Sequence, residues 1–220
     1  MRVVIMAAGD GLRWKNYLGK PKHLAPVEGV PLLSRTIELL RKAGVEDIHV
    51  TVRENGALGR IEGACEYVPT DSDYEIDRIW GARALVDGTA TFIYGDAYYT
   101  SEAIKTIVAN TDDFRFFGRS RPSRSKPFGK LFGIRVNDFV LANAQRAREL
   151  YRDGRLCRCI GWELYGLCTN TPRLGAGKKY FFSEQDDTIA HFTEITDQTE
   201  DFNEPFELER WIDCWSTAAR

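Results

Sequence analysis

The most chemically loaded stretch of this 220-residue chain is its first loop, MAAGDGLRWKNYLGKPKHL, running from Met6 to Leu24. Gly9 and Gly11 let the backbone come close to a ligand and turn its N–H groups inward. Arg13, Lys15, Lys20 and Lys22 add positive charge to the same loop. Backbone donors and cations together suit a polyphosphate. The loop lacks the G-K-[S/T] ending that puts a hydroxyl on magnesium. Trp14 stands where a dinucleotide fingerprint has its third glycine. A G-x-G fragment by itself serves a turn as readily as a phosphate.

A second basic stretch, RSRPSRSKPFGK, runs from Arg119 to Lys130 and carries five cations in 12 residues. Guanidinium and ammonium groups at Arg121, Arg124, Lys126 and Lys130 suit a clamp for an acceptor phosphate or pyrophosphate. A solvated connector and a nucleic-acid backbone contact are the competing readings. Tyr98, Tyr99, Phe128 and Trp162 either stack on part of an acceptor or belong to the core.

Other chemistries are excluded. There is no G-x-S-x-G, so a covalent hydrolase is not expected. Cys157-Arg158-Cys159 has no second pair at zinc spacing. His23, His49 and His191 form no catalytic set, and His49 alternates within a strand as a structural residue. Thirty Lys+Arg against 32 Asp+Glu give a net charge of -2, which argues against wholesale nucleic-acid binding. No run approaches the roughly 18 apolar residues of a membrane span. The start, MRVVIMAAGDG, is too short and too quickly glycine-rich for a secretion signal. With five cysteines, an odd number, the expectation is reduced thiols and a cytoplasmic protein.

The elements that must position these loops follow from periodicity. Val3–Ala7 is a short apolar run of the buried-strand kind. Leu33, Ile37, Leu40 and Ala43 recur at helical spacing, and Gly44 is a fitting stop. Residues 48–52 read as a second strand, so the first 50 or so residues form a βαβ unit, the mark of a parallel sheet. A short strand is expected at 66–68, a helix over 74–86 and a strand over 89–94, ending in Gly95-Asp96. Further on, strands are expected at 114–118, 131–136, 180–183 and 188–192. Helices are expected at 139–151, 159–167 and 205–215. The chain is thus expected to be one α/β domain with a mixed, mainly parallel sheet between helices. It divides into two halves, 1–112 and 113–220. Ligands in such sheets sit beyond the carboxyl ends of the strands.

Ala7-Ala8-Gly9-Asp10-Gly11-Leu12-Arg13 followed by Pro21-Lys22-His23-Leu24 resembles the signature of the nucleotidyltransferases with a Rossmann-like, GT-A-like fold. These include sugar-phosphate nucleotidyltransferases, molybdopterin guanylyltransferase-like proteins and phosphocholine cytidylyltransferases. Pro26-Val27 and Pro31-Leu32-Leu33 extend the resemblance. It implies that Ala7, Ala8, Gly9, Asp10 and Gly11 wrap a triphosphate. It implies too that Arg13 and Lys22 stabilise charge during attack at the α-phosphorus. Cations already aimed at developing phosphoryl charge are the main catalytic device open to such a site.

The resemblance also makes Asp96 a Mg²⁺ (or Mn²⁺) ligand, although an Asp after a strand can instead cap a helix near Ser101. The segment 200–209, EDFNEPFELE, resembles the family's closing segment and adds Asp201 and Asn203 as metal ligands, with Asp197 a weaker candidate. Asn203 has the competing role of capping the last helix. The stretch 70–83 departs from the cytidylyl and uridylyl patterns, which leaves the base open and makes Asp73 and Arg78 the nucleotide candidates. The expected reaction moves a nucleoside monophosphate from an NTP to a phosphorylated small molecule, a sugar phosphate or phospho-alcohol, with release of pyrophosphate. The alternative is a GT-A-type glycosyltransferase using a nucleotide sugar. Only under that alternative is nucleic acid an acceptor.

Overall fold

The first strand, β1 (Arg2–Met6), alternates its side chains between two apolar layers. Val3 and Ile5 join one core and Val4 and Met6 the other. That period-two split places the strand in the middle of a sheet covered on both faces. The computed structural model describes residues 1–54, 58–123, 126, 128–171 and 189–216.

In chain order, β1 is followed by a loop of short helical turns and a small hairpin, β2 (Pro26–Val27) and β3 (Val30–Pro31). Next come α1 (Leu32–Lys42), β4 (Asp47–Thr51), β5 (Cys65–Tyr67), α2 (Glu75–Gly81), β6 (Ala90–Tyr94), β7 (Ala97–Tyr98) and α3 (Ser101–Ala109). The second half adds β8 (Arg115–Arg119), β9 (Lys130–Val136), α4 (Asp138–Arg152), α5 (Gly161–Thr169), β10 (Phe192–Glu194), β11 (Glu200–Asp201) and α6 (Pro205–Ser216).

The central sheet has the order β10-β8-β9-β6-β1-β4-β5. β1 pairs in parallel with β4 and β6, and β9 runs antiparallel to both β6 and β8. This is the mixed, mainly parallel sheet expected. Because β4 and β6 lie on opposite sides of β1, the chain leaves β1 at a switch point, where loops part and a ligand crevice opens.

One layer packs α2, α4 and α5 over the sheet through residues such as Ile76, Ile79, Val140, Ala144 and Leu164. The other packs α1 and α3 through Leu33, Ile37, Leu40, Ile104 and Ile107. Each fully buried aliphatic or aromatic side chain of this kind contributes about 1.5–3 kcal/mol, so the sheet is a rigid frame for the loops at its carboxyl edge. A third, smaller cluster joins Trp14, Ala25, Val27 and Leu32 to Tyr98, Phe202, Leu208 and Trp211. It clasps the first loop to the last helix.

Two expectations need correction. The helix read over 74–86 ends at Gly81, and a separate turn, Arg83–Leu85, follows. The cause is a crossing chain: Thr70 donates both its backbone N–H and its hydroxyl to the Gly81 carbonyl. A Cβ on Gly81 would stand 2.1 Å from the Asp71 carbonyl oxygen, so only glycine fits there. The strand read at 188–192 begins at Phe192, after a turn in which Phe192 N–H donates to Ile189 and His191 adopts φ 54°. The strand read at 180–183 lies outside the described residues.

α2 is tied to the second half by a buried guanidinium. Arg148 of α4 donates to Asp77 and Asp71, and Asp77 also accepts from the Tyr74 N–H. The helix that carries Arg78 is thus fixed from behind.

Candidate functional site

A cavity of about 990 Å³ opens at the carboxyl ends of β1 and β6. Its lining includes Gly9, Asp10, Gly11, Arg13 and Lys22 from the first loop, and Asp73 and Arg78 from the segment into α2. Asp96, Lys126, Lys130, Asp201 and Asn203 complete the set. The sequence candidates thus converge, from segments far apart in the chain, on one hollow.

Gly9 and Gly11 face the cavity, and Gly11 takes φ 65°, a conformation that glycine adopts without strain. The guanidinium carbon of Arg78 lies 3.4 Å from where a Cβ on Gly9 would sit, so Arg78 covers the glycine loop. Ala7 and Ala8 lie at the root of the loop, with Ala7 lining a smaller hollow beside Gly9, Asp10 and Gly11. The Ala7 N–H donates to Thr51 Oγ1, the Ala8 carbonyl accepts from Arg53, and both residues are buried beneath the loop.

Lys22 is buried, and its ammonium donates to Asp96. Burial pushes the Asp96 carboxyl upward, but the charge of Lys22 outweighs it and leaves Asp96 below its ordinary range. The helix-cap role open to Asp96 falls to Thr100, which accepts from the Ala103 N–H. Asp197 holds the same turn, accepting from the Thr100 hydroxyl and the Thr199 N–H, and is a structural residue.

Asp201 is brought beside Asp96 by the two-residue ladder between β11 and β7, in which Asp201 pairs with Ala97. The Phe202 N–H donates to the Asp96 carbonyl. Asp201 Oδ2 accepts from Lys130 Nζ at 2.9 Å and from Asn203 Nδ2 at 2.5 Å. Burial disfavours the charged form, yet Lys130 and Lys126 pull this carboxyl far below the usual range. In return Asp201 raises the Lys130 ammonium against the effect of its own burial.

Arg13 Nη2 donates to Asn203 Oδ1 at 2.6 Å, a contact spanning 190 residues. The competing cap role for Asn203 is taken by Glu207, which accepts from the N–H groups of Asn203 and Glu204. With its oxygen turned to Arg13 and its amide to Asp201, Asn203 bridges the two at the cavity wall. A divalent cation would therefore fall to Asp96 and Asp201. These residues fit it: Asp201 Oδ1 is buried with no hydrogen-bond partner among the described residues. Mg²⁺ commonly uses one or two carboxylates and takes its other oxygens from water and substrate phosphates. Among the described residues no group of three or more His, Cys, Asp or Glu stands ready to hold a metal.

The basic stretch divides. Arg119 is buried, donating to Glu200 and to the carbonyls of Asp197 and Thr199. Lys126 is only 2 % exposed, and its ammonium pairs with Glu207 and lies 3.7 Å from Asp201. Arg121 is exposed and outside the cavity lining, and Arg124 lies outside the described residues. So Lys126 and Lys130 are counter-charges on the carboxylates, and both line the cavity. Tyr98 is no acceptor contact. It is buried 4.5 Å from the Trp211 ring centre and beneath the Arg35 guanidinium. Tyr99 is wholly buried and donates to the Phe132 carbonyl, whereas Phe128 and Trp162 do line the cavity.

Sequence reasoning missed His23, Glu75, Tyr94 and Glu207, all of which line the cavity. His23 is buried beside Asp96 and Lys22, and burial pushes its imidazole down to about 4, so it is neutral near pH 7. The signal for Glu207 was available: it stands three residues after Glu204, the spacing at which a carboxylate reaches back to a helix start. His49 bonds to Asp47, and His191 stacks on Phe114, as structural residues do. All five cysteines are free thiols. No helix among the described residues is long and apolar enough to cross a membrane.

A family model described as the MobA-like NTP transferase domain matches residues 3–117. The bifunctional protein GlmU of Marinobacter nauticus is 30 % identical over 122 residues, which are 51 % of this chain and 26 % of that relative. The chain thus spans about a quarter of that relative's length. Among solved structures, one assigned as a glucose-1-phosphate thymidylyltransferase from Bacillus anthracis has a TM-score of 0.65 at 13 % identity, covering 97 % of this chain and 94 % of that one. A UDP-glucose pyrophosphorylase from Acinetobacter baumanii has a TM-score of 0.62 at 10 % identity, covering 96 % and 92 %. The CTP:phosphocholine cytidylyltransferase of Streptococcus pneumoniae has a TM-score of 0.58 at 13 % identity, covering 97 % and 98 %. These likenesses carry the fold across the whole chain.

Proposed function

The chain belongs to the MobA-like NTP transferase domain family and is accordingly a nucleotidyltransferase; we propose that it moves a nucleoside monophosphate from an NTP to a phosphorylated small molecule, releasing pyrophosphate. Residues 1–112 hold the nucleotide and 113–220 the acceptor and the closing carboxylate segment. The observation that carries this reading is the meeting of two distant segments over one cavity: Lys22 on Asp96 with Asp201 alongside, and Arg13 on Asn203.

The roles follow from position and charge. Gly9 to Gly11 offer backbone N–H groups to the triphosphate, and Arg78 and Asp73 flank the nucleoside. Lys22 and Arg13 hold the charge that grows on the α-phosphate as the acceptor oxygen arrives. Preorganised cations act in this way without reorganisation at the moment of reaction. Mg²⁺ or Mn²⁺, held by Asp96 and Asp201, would supply further positive charge to the α- and β-phosphates. His23 stays neutral and adds no competing charge beneath Lys22. No side chain needs to act as base, because an acceptor phosphate is already ionised near pH 7. Lys130, on the acceptor side of Asp201, balances that carboxylate and faces the arriving phosphate.

The second reading, glycosyl transfer from a nucleotide sugar, uses the same carboxylates but has less need of Lys22 and Arg13, since no pyrophosphate departs. The two separate on one assay. Enzyme is mixed with Mg²⁺, each of four NTPs and a panel of sugar phosphates and phospho-alcohols, and pyrophosphate is followed. Release that needs both NTP and acceptor supports nucleotidyl transfer. Turnover of nucleotide sugars without pyrophosphate supports the alternative.

A further inference from the structure

Glu75 lies in the cavity wall, yet neither charge balance nor the reaction above uses it. Its Oε1 accepts from the Tyr94 hydroxyl and, at 2.9 Å, from the Gly161 N–H at the start of α5. Its Oε2 has no hydrogen-bond partner among the described residues, and the side chain is part of the cavity lining. A Cβ on Gly161 would stand 2.6 Å from Glu75 Oε1 and 2.8 Å from both the Tyr94 hydroxyl and a Leu131 methyl. Glycine at 161 is what admits the carboxylate to this spot.

The location decides what the open oxygen meets. Arg78, one helical turn further along α2, covers Gly9 on the β1 side. Glu75 instead sits over the seam of β6 and β9, held to Tyr94 and packed near Leu131. Apolar Phe128, Leu131, Ile160 and Trp162 line the same cavity, with Arg158 among them. Lys130, which balances Asp201, belongs to the same strand as Leu131. Glu75 belongs to the first half of the chain but is tied to Gly161 of the second half and feels the charge of Lys130 as well as that of Arg78, so its carboxylate stands where the two halves meet, within reach of a second substrate.

Building on the nucleotidyl-transfer reading, we infer that Glu75 is a specificity-determining residue that accepts a hydrogen bond from the acceptor, and that the acceptor is a phosphate ester bearing an O–H or N–H donor on an otherwise apolar face. A carboxylate oxygen fixed on one side and open on the other can only accept. An acceptor without a donor would leave it buried and unpaired, the arrangement that polar sites reject most strongly. Burial raises the Glu75 carboxyl, and Tyr94, Gly161 and the charges of Arg78 and Lys130 offset that only in part, so the open oxygen gains from a donor.

The test uses three probes differing at the donor: glucose 1-phosphate with hydroxyls, phosphoethanolamine with an ammonium, and phosphocholine with neither. Binding to the Mg²⁺-loaded protein with a bound non-hydrolysable NTP analogue is measured by calorimetry. The wild type should bind one or both donor-bearing probes roughly 10–100-fold more tightly than phosphocholine; which of the two binds separates a sugar-like from an amine-like acceptor. Glu75→Gln keeps an accepting oxygen for Tyr94 and Gly161 and turns the open atom into a donor. It should erase that preference while leaving affinity for the NTP analogue unchanged. Phosphocholine binding as tightly as the others, or no binding by any probe, overturns the inference. So does a Glu75→Gln effect confined to the NTP analogue, which would mean the carboxylate reads the base. The wild-type comparison stands whatever the variant does to folding. Analogue affinity that is intact in every titration leaves the nucleotidyl-transfer reading in place even if the Glu75 inference fails.

Discussion

Asp96 and Asp201 stand side by side in the same cavity, but the molecule restrains them differently. Asp96 closes β6 and is balanced by one lysine, Lys22, which comes from the glycine loop. That loop is locally strained: Lys15, Asn16 and Leu18 all have positive φ. Asp201 sits on a two-residue strand and is balanced by Lys130 of β9, with Lys126 and the Asn203 amide beside it. Lys126 is in turn tied to Glu207 of α6. One carboxylate is thus coupled to the segment that grips the nucleotide, the other to the fold's closing clasp. Under the proposed function, Asp96 would serve chemistry alone, whereas Asp201 would carry both chemistry and structure.

The largest expected effect breaks the structural side. Asp201→Ala strands Lys130 and leaves Lys126 with one partner, and breaking a buried pair costs about 3–5 kcal/mol. Its melting temperature should fall well below that of Asp96→Asn, an isosteric change that leaves Lys22 an accepting oxygen. Equal melting temperatures for the two variants would erase the distinction drawn between them. Next comes Lys22→Ala, expected to lower turnover by roughly 10²–10³, more than it raises KM. An effect on KM alone would make Lys22 a binding residue only.

Third, acid should act through His23. Its imidazole is held near 4 in the fold against about 6.5 in the unfolded chain. Between those values the unfolded state binds the proton and the native state does not. The contribution to stability is therefore complete above about pH 6.5 and fades as pH falls toward 4, by about 3 kcal/mol in all. Unfolding curves in EDTA should show that slope, and His23→Gln should flatten it. The smallest effect is at the exposed rim. Arg13→Ala removes one exposed hydrogen bond to Asn203 and should change stability by about 1 kcal/mol or less while cutting turnover. Activity equal to wild type would show that Arg13 is only a clasp.

What the sequence made legible was local. The apolar run of β1, the helical spacing of α1 and the strand ending in Gly95-Asp96 can each be seen in a window of a few residues. Gly9, Arg13, Lys22, Asp96 and Asp201 were legible because the motifs carry them, and all five reach the cavity. The partners of Lys126 and Tyr98 were not legible because they are remote: Lys126 meets Glu207, and Tyr98 meets Arg35 and Trp211. A cation in a run of cations looks solvated until the carboxylate folded onto it is known. Glu75 was hidden for the same reason, since Gly161, its backbone donor, is 86 residues away. The split of α2 depends on Thr70 crossing over Gly81, which no periodicity records.

The central claim is that the α-phosphate itself is transferred. An NTP labelled at the α-phosphorus, mixed with the protein, Mg²⁺ and an acceptor that supports turnover, tests it directly. The label should appear in the acceptor product and unlabelled pyrophosphate should be released in equal amount, with both signals lost together in Lys22→Ala. Label remaining in a nucleoside diphosphate, or product formed from a nucleotide sugar with no pyrophosphate, would contradict it.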